Sequence, residues 1–478
     1  MRFNPARFQA LRGENSTRKI SPRFLSLLCL GASLCFPGVI AVSTAGGGPA
    51  DQACGPPNYC ARTDRRLEAY PKAAPSVGPA GSVITDPTFG SRLVRVTDEK
   101  ADPKGSGRGL VTPASAEQNS WNTTSTKFYV VTMGGSFLLY DFNPSDMSVR
   151  IRNTPDLHWR GEPQFSFAQS TLLYGVPARG LEFEQYDIAS GKVKTVNDPS
   201  SCRKFDSADV ASDISVSGDD SRFMSVIGPR QDDSYVIYVY DRERGCRWYN
   251  TRTGEVGGQW GPKGTVSLAE RYGVHNARMA KSGKFVTIAR GGGSQGNNKW
   301  RVWDVDTLNV VVCPSACSGH HALGYSHVVN PGGDHPFAML ERPLDHLDSQ
   351  SVLISDLHGS PGYWYDSHLS WNDVDSHDNN PVCLSTYRPN NPGTSGTPLA
   401  VGGPWENEIV CVEMDGKSSK VWRFAHTYST AQNGFWSTPR GNVSQDGRFF
   451  MFTSDWEDQL GRTSDGKYRT DVFVVELR

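Results

Sequence analysis

Asn442-Val-Ser-Gln-Asp-Gly-Arg-Phe-Phe-Met-Phe-Thr-Ser-Asp455 sets a polar turn, Asp446-Gly447, before an apolar strand that opens at Phe449. Gly and Asp favour tight turns, whereas a run of aromatic residues favours a strand packed on both faces. The same phrase returns upstream, as Lys281-Ser-Gly-Lys-Phe-Val-Thr-Ile288 and as Asp219-Asp220 ahead of Phe223-Met-Ser-Val226. A third strand follows in each copy and usually ends in aromatic-Asp or a variant, as in Leu138-Leu-Tyr-Asp141, Trp300-Arg-Val-Trp-Asp304 and Val472-Phe-Val-Val-Glu476. A turn and a fourth strand follow in most copies. Seven copies, each of roughly 45–60 residues, predict an all-β chain: a seven-bladed β-propeller of four-stranded blades.

The ends of the periodic region agree with a closed ring. The chain stops at the third strand of the seventh copy. Near its start, Arg92-Leu-Val-Arg-Val-Thr97 is a strand with no partners of its own. It is expected to complete the last blade and so to cover sheet edges that would otherwise be bare.

Before the propeller, predicted for residues 83–478, two segments stand apart. Residues 1–45 read as an export signal: a basic region from Arg2 to Arg23, then an apolar run from Phe24 to Val42 broken by Pro37. An uncleaved signal anchor is the alternative. Residues 46–82, rich in Gly, Pro and Ala, read as a tether, ordered only around the short loop Cys54-Gly-Pro-Pro-Asn-Tyr-Cys60. Of ten Cys, eight lie beyond the signal, an even number that suits disulfides in an oxidising compartment. Proximity pairs Cys54 with Cys60, Cys202 with Cys246, Cys313 with Cys317, and Cys383 with Cys411. A zinc site at Cys313, Cys317 and the following His320-His321 is the competing reading. The chain is therefore expected at the cell surface, in the periplasm or outside the cell, as a monomer. No membrane contact beyond the signal is expected. A net charge of −1 lacks the basic excess of a nucleic-acid binder.

Function is expected where the inner strands begin, because these positions surround one mouth of the central channel. Aligning the copies on their turns brings Gln118, Glu162, Asp213, His275, His320 or His321, and His368 to one height, with Arg440 in the seventh copy and His426 just upstream. Imidazole and carboxylate groups suit a divalent first-row ion such as zinc or manganese. Water-filled polar lining is the bland alternative. The acidic run Asp373-Val-Asp-Ser-His-Asp378 raises calcium but lacks a recognisable ligand spacing and reads better as a solvated loop. Arg160, Arg278 and Arg440 suit a carboxylate or sulfate on a ligand, or salt bridges between blades. Because side chains alternate along a strand, Arg278 is expected to face away from His275. No nucleophile elbow, phosphate loop or dinucleotide fingerprint is present.

The phrase at residues 442–455 resembles the repeat of the TolB-type, WD40-like propellers. In style the chain is similar to oligogalacturonate lyases and related propeller polysaccharide lyases. That resemblance implies a divalent metal held by His residues, onto which His320, His368 and His426 map; His321, beside His320 in the alignment, is a further expected ligand. It also implies a base-and-arginine pair, matched by His275 and Arg278. Gln118, Arg160, Glu162 and Arg440, placed at the channel mouth by the alignment of the copies, are the expected substrate-binding residues. The implied activity is β-elimination on an acidic saccharide; a non-catalytic propeller that binds a ligand or protein is the alternative. Thr438-Pro-Arg-Gly-Asn442 stands where the lyases carry a Gln and a His-x-His cluster.

Overall fold

The computed structural model describes residues 54–478 except 67, 69–72, 103–108, 134, 231, 267–270, 291–298, 315–316, 318–319, 332–337, 356–365, 388–403, 417–418 and 432–433. They belong to one compact unit. The expected signal and the first part of the tether lie outside the described residues.

Seven antiparallel sheets follow one another along the chain; six run in sequence order across their strands, and the seventh adds two strands from near the start of the described chain. The first strands of the blades are Leu110–Val111, Trp159–Phe165, Val210–Val216, Val274–Met279, Ala322–Leu323, Asp366–Ser370 and Gly441–Val443. Blade three carries two further strands, Glu255–Gly258 and Gly264–Thr265. Middle strands such as Phe449–Ser454 are buried along their whole length, because both faces meet neighbouring blades. The contact between blades seven and one shows the packing: Trp121 stacks on Phe449 at 6.3 Å and lies 4.7 Å from Phe128. Among the described residues no helix is long and apolar enough to cross a membrane.

The ring closes as the orphan strand predicts. Arg92–Arg95 pairs with Asp471–Glu476, with Leu93 opposite Val475 and Val94 opposite Val474, and Val83–Thr85 adds a fifth strand outside it. All four disulfides join the cysteines paired above, so the sulfurs of Cys313 and Cys317 are joined to each other and are not zinc ligands.

The described part of the expected tether is packed against blades six and seven. Tyr59 lies edge-on to Trp422 at 5.4 Å and Phe424 at 5.1 Å, and its hydroxyl donates to Gly447 O at 2.7 Å. Gly447 has φ +67°, and a Cβ there would meet Pro56 at 2.4 Å, so glycine suits both the turn and the approach. Arg62 bridges to the backbone of Arg423, whose buried guanidinium binds Glu408 at 2.8 and 2.6 Å and Asp64 at 3.2 Å.

The channel is closed by the first blade's own inner strand. Val111 lies opposite Val131, but the next pairing is Trp121 with Phe128. The inner strand thus advances ten residues while its neighbour advances three, and seven extra residues bulge toward the axis. The bulge touches every other blade. Gln118 Nε2 donates to the carbonyls of Glu162 (3.1 Å) and Pro163 (2.8 Å) in blade two and Ile214 (3.3 Å) in blade three. Glu117 faces Arg278 of blade four at 3.7 Å and His321 of blade five at 3.1 Å. Asn372, after the inner strand of blade six, donates to Gln118 O at 3.1 Å. Asn442 of blade seven donates to Ala116 O and Gln118 O at 2.8 and 2.9 Å.

Gln118→Ala removes the amide that three buried carbonyls share. It is expected to lower unfolding free energy by about 1–3 kcal/mol. Equilibrium urea unfolding measures this, and an unchanged midpoint would show that the bulge does not anchor the ring.

Candidate functional site

The predicted site residues separate into a central cluster, a rim cluster and outliers. The central cluster is buried. Around Glu117 stand Arg278, His321 and Asp213, the last 3.8 Å from Arg278. His321 Nε2 lies 3.0 Å from Thr287 Oγ1, and its ring stacks on Trp300 at 5.1 Å. Glu162 accepts hydrogen bonds from the backbone N–H groups of Ala114 and, at 3.4 Å, Ser115. Burial pushes its carboxyl up to about 7, against the pull of those N–H groups and with the help of Asp213.

Strand irregularities aim these groups. The pairing of blades two, three and four shifts between Arg160 and Gln164, Ser212 and Ser215, and Val274 and Asn276. Glu162 and Asp213 stand on the first two shifts, and Asp213 takes a left-handed φ of +54°. His275 sits on the third. Its side chain is 54% exposed and pairs with Asp232 at 2.7 Å, whereas Arg278 is buried at the axis. The expected base-and-arginine pair is therefore not brought together. Arg160 is exposed and outside both clusters.

The space left at the axis is a cavity of about 20 Å³, lined by Glu117, Gln164, Arg278, Lys281, Trp371 and Asn372. That is room for about one water and none for a sugar. Lys281 is buried beside it and donates to the carbonyls of Leu323, at 3.0 Å, and Trp371. A larger cleft, about 700 Å³, lies on blade three between Ser201-Cys202 and the added hairpin, away from both clusters.

The rim cluster joins blades five, six and seven. Consecutive residues of an extended chain point to opposite sides, so His321 turns to the axis and His320 to the rim. His320 Nδ1 lies 2.8 Å from Ser367 O and 3.7 Å from Asp366 Oδ1. Burial alone would pull the imidazolium of His320 down, but Asp366 and the Ser367 carbonyl outweigh it and hold its pKa above the usual value. The ring stacks on His368 at 4.0 Å. His368 is pushed well below the usual imidazole range by burial, by His320 and by Arg440, so it is the neutral partner. Tyr387 donates to Asp366 Oδ2 at 3.0 Å and stacks on His368 at 5.4 Å. Arg440 is fully buried beneath Phe435 and Trp436, at 4.3 and 4.9 Å from their rings.

His426 belongs to neither cluster. It ends the outer strand of blade six, Val421–His426, where register sets it opposite Glu408. Its ring meets Asp86 at 3.4 Å and Phe89 at 5.0 Å. The four candidate metal-ligating histidines thus fall in three places. The two that share the rim stack face to face, so their in-plane lone pairs do not converge. Among the described residues no group of three or more His, Cys, Asp or Glu side chains is placed to hold an ion. As placed in the described residues, these four histidines do not together fit the expected divalent metal, whether manganese, zinc or calcium.

Glu117, Asp366, Tyr387 and the aromatic pair Phe435 and Trp436 were not among the expected site residues. The surplus length between Leu110 and Trp121 in the first copy was a readable sign of Glu117. Nothing local marks the others.

No protein-family model and no curated protein matches the chain. Among solved structures it is similar to an oligogalacturonate lyase from Vibrio parahaemolyticus, with a TM-score of 0.49 and 9% identity over 84% of this chain and 98% of that one. An oligogalacturonate lyase in complex with manganese gives 0.49 and 11% identity, over 85% of this chain and 98% of that one. A chain of a mitotic checkpoint complex gives 0.43 and 12%, over 86% and 98%. The chain's own seven antiparallel sheets make it a seven-bladed β-propeller.

The folded Glu162 carboxyl holds its proton to about pH 7, against a usual value of 4.5. Its contribution to stability is therefore full below about pH 4.5, falls as pH rises, and is lost above 7. The span corresponds to about 3 kcal/mol. Glu162→Gln should remove that part of the pH dependence, so that unfolding midpoints at pH 5 and pH 8 draw closer together. Asp366→Asn leaves burial as the main influence on His320 and should move its titration below the ordinary 6.5, as read from the ring resonances by NMR.

Proposed function

We propose that this chain is an exported propeller that binds an acidic saccharide at the rim of blades five to seven and cleaves it by β-elimination. One observation supports this reading above the rest. His320 has one ring nitrogen anchored on Ser367 O at 2.8 Å beside Asp366, while its side chain stays 39% exposed. With Nδ1–H donating to the carbonyl, Nε2 is the acceptor left for a substrate proton.

Elimination from a uronate starts at C5, whose proton becomes acidic when the adjoining carboxylate is neutralised. The base takes that proton, the C–H electrons form the C4–C5 double bond, and the C4–O bond breaks as the leaving oxygen takes up a proton. The positive charge of Arg440 serves the neutralisation, and neutral His320 serves as base. These roles pass from Arg278 and His275, which are held in separate surroundings. Phe435 and Trp436 offer exposed ring faces for a sugar. Four disulfides support an oxidising compartment. The second reading, a propeller that binds the same ligand without cleaving it, draws support from the closed channel and from the stacking of His320 against His368.

Incubation with a panel of polyuronates should raise unsaturated-uronate absorbance, faster as pH climbs through the raised His320 pKa. His320→Ala should lower kcat by about 10²–10⁴-fold while the melting temperature holds. Saturable binding without absorbance would favour the second reading. Neither binding nor absorbance would end both.

A further inference from the structure

Arg440 has no exposed surface, yet among the described residues its Nε and Nη2 make no hydrogen bond. Only Nη1 is engaged, by Phe435 O and, at 3.4 Å, by Thr438 Oγ1. Phe435 belongs to the turn that covers it, and Thr438 follows that turn directly. Arg423, equally buried, shows the pairing such a group can take: it meets Glu408 through Nε and Nη2 at 2.8 and 2.6 Å. Arg278 also has donors without a hydrogen bond, but it faces the carboxylates of Glu117 and Asp213 at 3.7 and 3.8 Å, whereas among the described residues no carboxylate forms an ion pair with Arg440. Buried donors without partners are rare and point to a missing ligand or water. The unengaged atoms are adjacent on one edge of the guanidinium, the edge that grips both oxygens of a carboxylate in the Arg423 pair.

What covers Arg440 is aromatic. Phe435 and Trp436, in the short turn Gly434–Ser437, lie over the guanidinium and are themselves 45% and 41% exposed. Gly434 opens the turn at φ +72°, a left-handed conformation that glycine adopts without strain. The arrangement hides a cation and exposes the rings that hide it.

We propose that the turn Gly434–Ser437 is a displaceable cap over an anion site at Arg440, and that a carboxylate-bearing sugar displaces it to bind the free Nε–Nη2 edge. Phe435 and Trp436 then meet the face of the sugar ring. The sugar as occupant rests on the function proposed above; the anion site does not. A cap that closes the site in most molecules lowers apparent affinity by the fraction that is open. A small anion has no sugar ring with which to draw the cap aside.

The test uses inorganic sulfate, titrated calorimetrically at constant ionic strength into the full chain. Phe435→Ala with Trp436→Ala should bind sulfate roughly tenfold more tightly than the unaltered chain. Adding Arg440→Lys should abolish the gain, because an ammonium cannot make the two-point contact. Lys keeps the charge, and a thermal melt of each variant verifies that it folds. Unchanged sulfate affinity in the double variant overturns the cap, as does a gain that survives Arg440→Lys undiminished. If the gain appears but no acidic oligosaccharide binds the unaltered chain, the cap stands and the saccharide reading falls.

Discussion

The seven-residue bulge in the first inner strand is the contact on which the rest of the structure depends. Its amide and carbonyl groups are buried, and buried backbone groups must find partners. They find them in the other blades. Gln118 reaches blades two and three, Glu117 faces four and five, and the backbone around Gln118 receives Asn372 and Asn442 from the last two. A propeller without such a bulge has a wet channel at its axis. Here the axis is a polar core with room for about one water. A sugar does not fit this axial space.

Closure of the ring has a second anchor on the opposite side. The seventh blade takes its outer strands from the start of the periodic region, so the last strand, Asp471–Glu476, is paired on both edges. Asp471 lies under this join, bound by Arg95 and Arg469 and pushed upward by burial, which those arginines partly offset. The Cys54–Cys60 loop and its Tyr59 then lie across blades six and seven. Proline and glycine content alone made that segment look like a spacer. Its hydroxyl, its aromatic ring and Arg62 give it contacts that composition does not record.

The division of the site followed from alternation and from its local failure. His320 and His321 are neighbours in the chain, and the period of two sends one to the rim and the other to Glu117. Arg278 facing away from His275 is the same rule, reinforced by the bulge at His275. Glu162, Asp213 and Gln118 do gather near the axis, where repeat alignment places them. His426 does not, because it ends a fourth strand, farthest from the axis of its blade, rather than a first one. Asp366, Tyr387 and Phe435 escaped notice since no spacing links them to His320 and Arg440. They meet only where three blades converge.

By itself, the sequence determined the number of blades, the strand that closes the ring and the pairing of the cysteines. These are properties of periodicity and short separation, and a repeated turn followed by an apolar strand encodes them locally. Tertiary structure alone decided which polar side chains share a site. That outcome depends on register shifts of one or a few residues, on an insertion that turns inward instead of outward, and on which blade faces which across the axis. A one-residue shift in a strand sends every later side chain to the other face. Among the described residues Arg440 keeps an edge without hydrogen bonds, because the segments that meet at this rim are set by tertiary packing and not by local spacing.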